Sequence, residues 1–369
     1  MPQKLRVGIL FGGRSAEHEV SLQSARNVIE AIDREKYEII LLSINKEGQW
    51  QLGDLSKFLL YVDNPRLIAL NSSNENLAFY PGQREVNLIS IPNNKSIGAI
   101  DVIFPVLHGP FGEDGTVQGF LKLAGIPFVG SSVLGSAIGM DKDVMKRLLR
   151  DAGIPVGDFM VVYAHESNDL DYNQLQRQFG VPFFIKPANL GSSVGVHKVH
   201  DTNEFRSALD DAFLFDNKVL IEEYIEGREI ECAVLGNESP LASVPGEVLS
   251  THEFYSYEAK YIDENGAALD IPAKLSEETV RRVKTISIAA FKAICCEGMA
   301  RVDCFLKNNG TVVVNELNTI PGFTSISMYP KLWKATGIPY KDLIDRLIDL
   351  AIERHAKEKK LRTTYESIK

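Results

Sequence analysis

The stretch from Arg301 to Asn318 constrains this chain more than any other. An apolar run, the dipeptide Asn309-Gly310 and a second run rich in β-branched residues spell a β-hairpin. A two-residue turn at Asn309-Gly310 sets Asn308 opposite Thr311, and counting outwards sets Asp303 opposite Glu316 and Arg301 opposite Asn318. Side chains alternate along a strand, so all four fall on one face. Carboxylates directly opposite each other repel unless a cation lies between them. Two carboxylates and an amide oxygen suit a hard ion such as Mg²⁺, which makes Asp303, Glu316 and Asn318 candidate metal ligands. The alternative is a solvated strand face whose charges are incidental. A β-bulge would shift the register and remove the argument. The loop Thr319-Ile320-Pro321-Gly322-Phe323-Thr324-Ser325, turn-forming and hydroxyl-rich, leaves the hairpin where the ion would sit, and so favours the metal.

A chain of 369 residues has room for two or three domains, each with its own core. Its formal net charge of -9 gives no electrostatic reason to expect nucleic acid or an anionic membrane as partner. No apolar stretch is long enough to cross a bilayer, and Met1-Pro2-Gln3-Lys4 leads straight into a strand, so a cytoplasmic protein is expected. Cys232, Cys295, Cys296 and Cys304 lie in apolar segments without zinc-ligand spacing and read as buried free thiols.

The apolar run Leu5 to Phe11, the pair Gly12-Gly13 and a helical pattern from about Val20 to Ile32 form a strand, turn and helix. Tyr37 to Ile44 and Ala99 to Leu107 read as further buried strands, and 114 to 123 as a helix, which together suggest an open α/β sheet. Residues 50 to 97 are polar and irregular. Strands at Pro182 to Ala188 and Val219 to Tyr224 flank a helical pattern from Thr202 to Phe213, the signature of a small α+β domain. Two further strands, a polar tyrosine-rich segment at 252 to 265, a helix from Ser276 to Cys295, the hairpin and an amphipathic helix near 340 to 355 complete the chain. The expected class is α/β and α+β, with domains at 1–140, 141–228 and 229–369.

Lys186 ends an apolar strand and is followed by Pro187-Ala188-Asn189-Leu190-Gly191-Ser192-Ser193-Val194-Gly195, a small-residue loop whose N–H groups can approach phosphate oxygens. It lacks Walker A spacing, and a plain turn is the competing reading. Lys142 lies in a helical pattern, where a solvated charge is the ordinary expectation. Glu222 and Glu229 sit where one strand ends and another begins, and could accept from ribose or adenine, although surface carboxylates are common. His108-Gly109-Pro110-Phe111-Gly112-Glu113-Asp114-Gly115 follows an apolar strand and opens a helix, where α/β sheets place ligand sites, and Glu17 occupies the equivalent loop after the first strand. Tyr255 to Tyr261 is too polar for a core strand and reads as an exposed loop or as a lid over substrate.

With His108 to Gly119 as one signature, Arg301-Val302-Asp303 through Glu316-Leu317-Asn318-Thr319-Ile320-Pro321-Gly322 as the other, and Glu258-Ala259-Lys260-Tyr261 between them, the chain resembles the D-alanine–D-alanine ligase family of the ATP-grasp superfamily. The resemblance covers nearly the whole length. It implies a three-domain ATP-grasp architecture that joins two D-alanine molecules through a D-alanyl phosphate, with ATP as co-substrate. It places Lys142, Lys186, Ser192, Ser193, Glu222, Ile225, Glu229 and Lys260 around ATP, and two Mg²⁺ (or Mn²⁺) on Asp303, Glu316 and Asn318. Glu17, His108, Arg301, Gly322, Ser325 and Ser327 would bind substrate, with Arg301 and the Gly322 N–H as oxyanion donors. Glu17, Ser192 and Tyr261 would form a triad linking the domains, and Lys260-Tyr261 favours an amine over D-lactate as second nucleophile. A monovalent cation and a homodimer are further implications, as is a role in peptidoglycan synthesis. The sequence departs from the family pattern at Tyr224 and Ile320, which leaves the adenine packing open. The rivals are a D-alanine–D-lactate ligase and a nucleotide-binding regulatory protein; the latter is disfavoured because Arg301, Asp303 and Asn318 are all retained.

Overall fold

The computed structural model describes residues 4–61, 64, 67–71, 73, 75–79, 88–93, 95–250 and 267–364. The first run becomes β1 (Leu5–Gly12), buried from Val7 onward, followed by α1 (His18–Ala31), β2 (Tyr37–Ile44) and β3 (Trp50–Gly53). Gly12 is required at its turn: its φ is 93°, and a Cβ there would lie 2.2 Å from the Ile44 carbonyl oxygen. The region 50 to 97, which looked irregular, contains short antiparallel pieces: β4 (Leu59–Leu60) with β5 (Ala69–Leu70), and β6 (Leu77–Phe79), β7 (Leu88–Ser90) and β8 (Lys95–Gly98) as a small sheet. Such short strands carry too few residues for a period to emerge. β9 is only Val102–Pro105, shorter than the apolar run around it, and completes a sheet of order β3-β2-β1-β9 whose β1 is parallel to both neighbours. Next come α2 (Thr116–Ala124) and α3 (Val133–Met140).

α4 (Lys142–Asp151) opens on Asp141, whose carboxylate accepts from the Val144 N–H at 3.0 Å. The central sheet follows, with β10 (Phe159–Tyr163), α5 (Tyr172–Phe179), β11 (Phe183–Pro187), β12 (His197–Val199), α6 (Thr202–Ala212) and β13 (Lys218–Glu223), in the order β10-β13-β11-β12. α4 packs elsewhere: Met145 and Leu149 join a core with Val302, Val314 and Leu317 of the third sheet. Lys218 reaches back at 2.6 Å to Asp141 and ties the central sheet to the start of α4.

The third sheet comprises β14 (Arg228–Gly236), β15 (Leu241–Ala242), β16 (Gly246–Ser250), β17 (Ala267–Asp270), β18 (Gly298–Leu306) and β19 (Val312–Asn318), in the order β17-β16-β14-β18-β19 with β15 on β14. Three helices pack with it: α7 (Glu277–Ala293), α8 (Met328–Ala335) and α9 (Tyr340–Glu358). One core runs from Phe11 and Phe104 of the first sheet to Phe323, Tyr329 and Trp333, so the two ends of the chain bury each other. Arg354 of α9 strengthens this junction by donating to the Gly130 and Phe128 carbonyls at 2.5 and 2.7 Å.

The hairpin corrects the expected turn yet keeps its register at the site. The loop has three residues, Asn308-Asn309-Gly310: the Gly310 N–H donates to the Lys307 carbonyl at 2.9 Å, with Gly310 at φ 81°. Leu306 therefore pairs with Val312, and Cys304 with Val314. A bulge then leaves Asn315 unopposed and restores Asp303 opposite Glu316 and Arg301 opposite Asn318. The two deviations are each one residue in opposite senses, so they cancel. The bulge sends Val312, Val314 and Leu317 into one core while Glu316 and Asn318 face away from it. The cysteine reading holds for Cys232, Cys296 and Cys304; Cys295 is exposed, because it lies in the turn after α7 at φ 57° rather than on the helix.

Candidate active site

Two connected hollows meet at the hairpin. The larger is a cleft between the central and third sheets, lined by Lys142, Lys146, Lys186, Glu222, Ile225 and Glu229 among others. The smaller, lined by Glu17, His108, Ser192, Arg301, Gly322 and Ser327, draws on all three regions of the chain. Glu316 faces both.

The cleft is built from lysines. Lys142 is buried rather than solvated; its Nζ donates to the Leu190 carbonyl at 2.6 Å and lies 3.7 Å from Glu316 Oε2. Lys186, at the end of β11, pairs with Glu222 and reaches Asn315 Oδ1 at 3.5 Å. Ser192 and Ser193 hold left-handed φ values of 52° and 60°, an uncommon backbone for residues with a Cβ and one found at ligand-binding loops. Tyr224 packs against Phe184 with ring centroids 6.3 Å apart, at the mouth.

In the smaller cavity Ser192 donates to Glu17, joining loops far apart in sequence. Glu17 fits only because Gly109 and Gly191 flank it: Cβ atoms there would lie 2.7 and 3.1 Å from its Oε2. Arg301 holds Asp303 by a two-bond fork, Nε to Oδ1 at 2.7 Å and Nη2 to Oδ2 at 2.6 Å, and also reaches Glu231 Oε2 at 2.9 Å. Asn318 Nδ2 donates to Asp303 Oδ2 at 2.9 Å. The 320–323 loop is held rigidly: the Phe323 carbonyl accepts from Tyr340 at 2.9 Å and Asn27 at 3.2 Å, and its N–H donates to Ser24 Oγ. Gly322 lies against Ser327 Oγ, which a Cβ would approach to 2.7 Å. Ser325 is exposed and does not line the cavity, whereas Ser327 does. Lys260 and Tyr261, with the rest of the tyrosine-rich segment, lie outside the described residues.

His108 is buried, with Nδ1 3.2 Å from the Ile320 carbonyl and Nε2 3.3 Å from Ser24 Oγ. Burial pushes its imidazolium down to about 4. Burial, then the neighbouring Glu17 carboxylate, pushes Glu113 up, while the Gly109 N–H donates to it at 2.9 Å. The His108 contribution to stability is present in full above the ordinary histidine value of about 6.5, and is lost as pH falls towards 4, where the native state finally takes the proton. The expected loss approaches about 3 kcal/mol. Urea titrations between pH 7 and 4.5 are expected to show it in the wild type and not in His108→Gln. Identical slopes in the two would contradict a neutral buried imidazole.

Three of the buried charged groups in these hollows, Lys146, Glu231 and Glu113, were not singled out from sequence as functional. Lys146 and Glu231 each had a faint signal. Lys146 follows Lys142 by one helical turn on the face that carries Met145 and Leu149, and Glu231 interrupts the apolar run of β14 on the same face as Glu229.

The hairpin's oxygen set fits a divalent ion. Among the described residues no group of three His, Cys, Asp or Glu side chains could hold a metal, so an ion here would combine Asp303, Glu316 and the Asn318 amide with oxygens of a bound phosphate, the usual habit of Mg²⁺.

The three sheets, the lysine-lined cleft between two of them and the acidic hairpin at its end define an ATP-grasp enzyme. Matches to the family models described as D-ala D-ala ligase N-terminus, over residues 6–131, and D-ala D-ala ligase C-terminus, over 148–349, narrow the class. A D-alanine–D-alanine ligase of Oceanobacillus iheyensis is 56% identical over 361 residues, 98% of this chain and 99% of that protein. The solved D-alanine–D-alanine ligase of Coxiella burnetii superposes with a TM-score of 0.84 at 38% identity, covering 97% and 96% of the two chains. The VanG D-Ala:D-Ser ligase of Enterococcus faecalis follows at 0.82 and 35%, covering 95% and 100%. The chain belongs to the D-alanine–D-alanine ligase family.

Proposed function

We propose that this ligase joins two D-alanine molecules at the hairpin, consuming ATP and releasing D-alanyl-D-alanine, ADP and phosphate for peptidoglycan synthesis. The observation that carries the site assignment is that Arg301, Asp303, Glu316 and Asn318 share one face where the lysine cleft meets the Glu17 cavity. ATP lies in the cleft, its adenosine towards Glu222, Ile225 and Glu229 and its phosphates towards Lys142, Lys186, Ser192 and Ser193. Lys260 would add a charge at the γ-phosphate. Mg²⁺ or Mn²⁺ on Asp303, Glu316 and Asn318 would supply charge neutralisation at the transferring phosphoryl group.

Glu17 pairs with the ammonium of the first D-alanine beside His108, which orients its carboxylate towards the γ-phosphate. Attack by that carboxylate oxygen breaks the bond to the β-phosphate oxygen and gives D-alanyl phosphate and ADP. The second D-alanine, its carboxylate held by Ser327 with Ser325 at the rim, attacks the acyl carbon through its neutral amine and expels phosphate. Arg301 and the Gly322 N–H donate to the oxygen that becomes negative in between. The tight Ser24, Asn27 and Tyr340 contacts matter here, because a donor is effective only when its position is set in advance. Tyr261, by the family resemblance, would complete the Glu17–Ser192 link and select an amine nucleophile. We also propose a cytoplasmic homodimer, domains at 1–140, 141–228 and 229–369, and use of a monovalent cation. Among the described residues no helix is long and apolar enough to cross a membrane.

The test is ADP release with ATP, Mg²⁺ and D-alanine, alone and with D-lactate or D-serine, with mass identification of products. D-alanyl-D-alanine dominating every mixture is expected; a dominant mixed product would reassign the second nucleophile. Glu316→Gln should lower turnover at least ~10³-fold, as loss of a ligand to the transferring phosphoryl group's metal would, with unchanged urea unfolding. Turnover at the wild-type level in that variant would remove the metal assignment.

A further inference from the structure

Lys146 is a charged side chain that this mechanism leaves unused, on the wall of the cleft and almost wholly buried. Its side chain is 2% exposed, and its Nζ lies 3.1 Å from Glu222 Oε1. The other oxygen of the same carboxylate pairs with Lys186, so Glu222, itself buried, bridges two lysines from different elements: Lys146 on α4 and Lys186 on β11. α4 also carries Lys142 one turn earlier, and that lysine pairs with Glu316 instead. Three lysines thus face two carboxylates in one cleft.

The two partners of Glu222 differ in what they can do next. Lys186 is 12% exposed and borders the open cleft, where nucleotide phosphates arrive. Lys146, at 2% exposure and held on Glu222, offers almost no surface to one. If Lys186 turns from Glu222 to a phosphate, the carboxylate loses half of its compensation in a site where an unpaired charge is costly. Lys146 is the cation that stays. We propose that Lys146 is a positioning residue of the nucleotide site, which keeps Glu222 ionised and oriented after Lys186 exchanges it for phosphate.

The charges facing Glu222 agree with this geometry. Burial acts to neutralise the carboxyl, but Lys146 and then Lys186 outweigh it and hold it below the usual carboxylate range. Lys146 is pushed down by burial and by Lys186, and held up by Glu222 and by Glu316 across the cleft. Without Lys146, Glu222 takes up a proton when Lys186 leaves it for the nucleotide, and the cost of that protonation weakens binding.

The inference rests on the placement of ATP in this cleft, and the test separates the two. Calorimetric titration of the full-length protein with ADP and Mg²⁺ at pH 8, in buffers of different ionisation enthalpy, reads affinity and proton uptake together. Lys146→Met is expected to bind ADP at least tenfold more weakly and to take up more protons per ADP than the wild type, with KM for ATP raised and KM for D-alanine little changed. Lys146→Arg returns the charge in a bulkier, planar group, so it should remove the extra proton uptake while recovering only part of the affinity. Adding Glu222→Gln to Lys146→Met should abolish the extra proton, since an amide cannot accept one. Weaker binding in Lys146→Met without extra proton uptake would mean a packing role only and would overturn the proposal, as would wild-type binding. Unchanged ADP affinity in Glu222→Gln alone would instead overturn the placement of the nucleotide.

Discussion

Deleting Glu316 is expected to abolish ligase activity, with ADP release below ~10⁻³ of the wild type, as for loss of residues that act as a unit. Glu316 and the unopposed Asn315 form the bulge, so removing either one leaves a regular ladder in which Val314 still pairs with Cys304 and Leu317 with Val302. Without Glu316, Asn315 stands opposite Asp303 and the second carboxylate is gone. Without Asn315, Glu316 stays opposite Asp303 and Asn318 opposite Arg301, while Val312, Val314 and Leu317 keep their core face. That deletion loses the bulge and the 3.5 Å contact to Lys186, so its activity should stay within about a hundredfold of the wild type, the scale of a small misplacement. Coupled ADP-release assays beside urea unfolding check both variants. Equal loss of turnover in the two deletions, with both folded, would show that the bulge geometry and not the Glu316 carboxylate sets the site.

Arg301→Met should lower kcat about 10³-fold, the scale of losing an oxyanion donor, and destabilise the fold by about 3 kcal/mol. The second effect arises because one guanidinium is shared by Asp303 and Glu231. Arg301→Lys separates the two contributions: it keeps a cation between the carboxylates but cannot reproduce the fork, so most stability should return while kcat stays at least ~10²-fold down. Differential scanning measurements with and without Mg²⁺ add a second readout. An ion on Asp303 would take over part of the compensation, so under that assignment Mg²⁺ should stabilise Arg301→Met more than the wild type. Equal stabilisation of both proteins would argue that the ion binds elsewhere.

Local patterns in the chain carried a good deal of this. The apolar run of β1, the Gly12 turn and the helical periods of α6 and α9 appear close to where their residues predict them, because burial on one face imposes a period that survives tertiary packing. Asp303, Glu316 and Asn318 were legible through the hairpin, although the turn behind that register was misjudged. Asn-Gly favours a two-residue loop, whereas here Gly310 takes the left-handed position of a three-residue one.

What the sequence by itself determined is the inventory and its short-range order: which strands are apolar, where glycine allows a turn, and which carboxylates share a hairpin face. These follow from interactions between residues near each other in the chain. Only the tertiary structure decided the partnerships. Ser192 meets Glu17 across 175 positions, Lys186 meets Asn315 across 129, and Lys146 loses its water to face Glu222. Nothing in local periodicity encodes such pairings. A lysine on a helix is a solvated charge until another sheet covers it, and burial then makes its counter-ion obligatory.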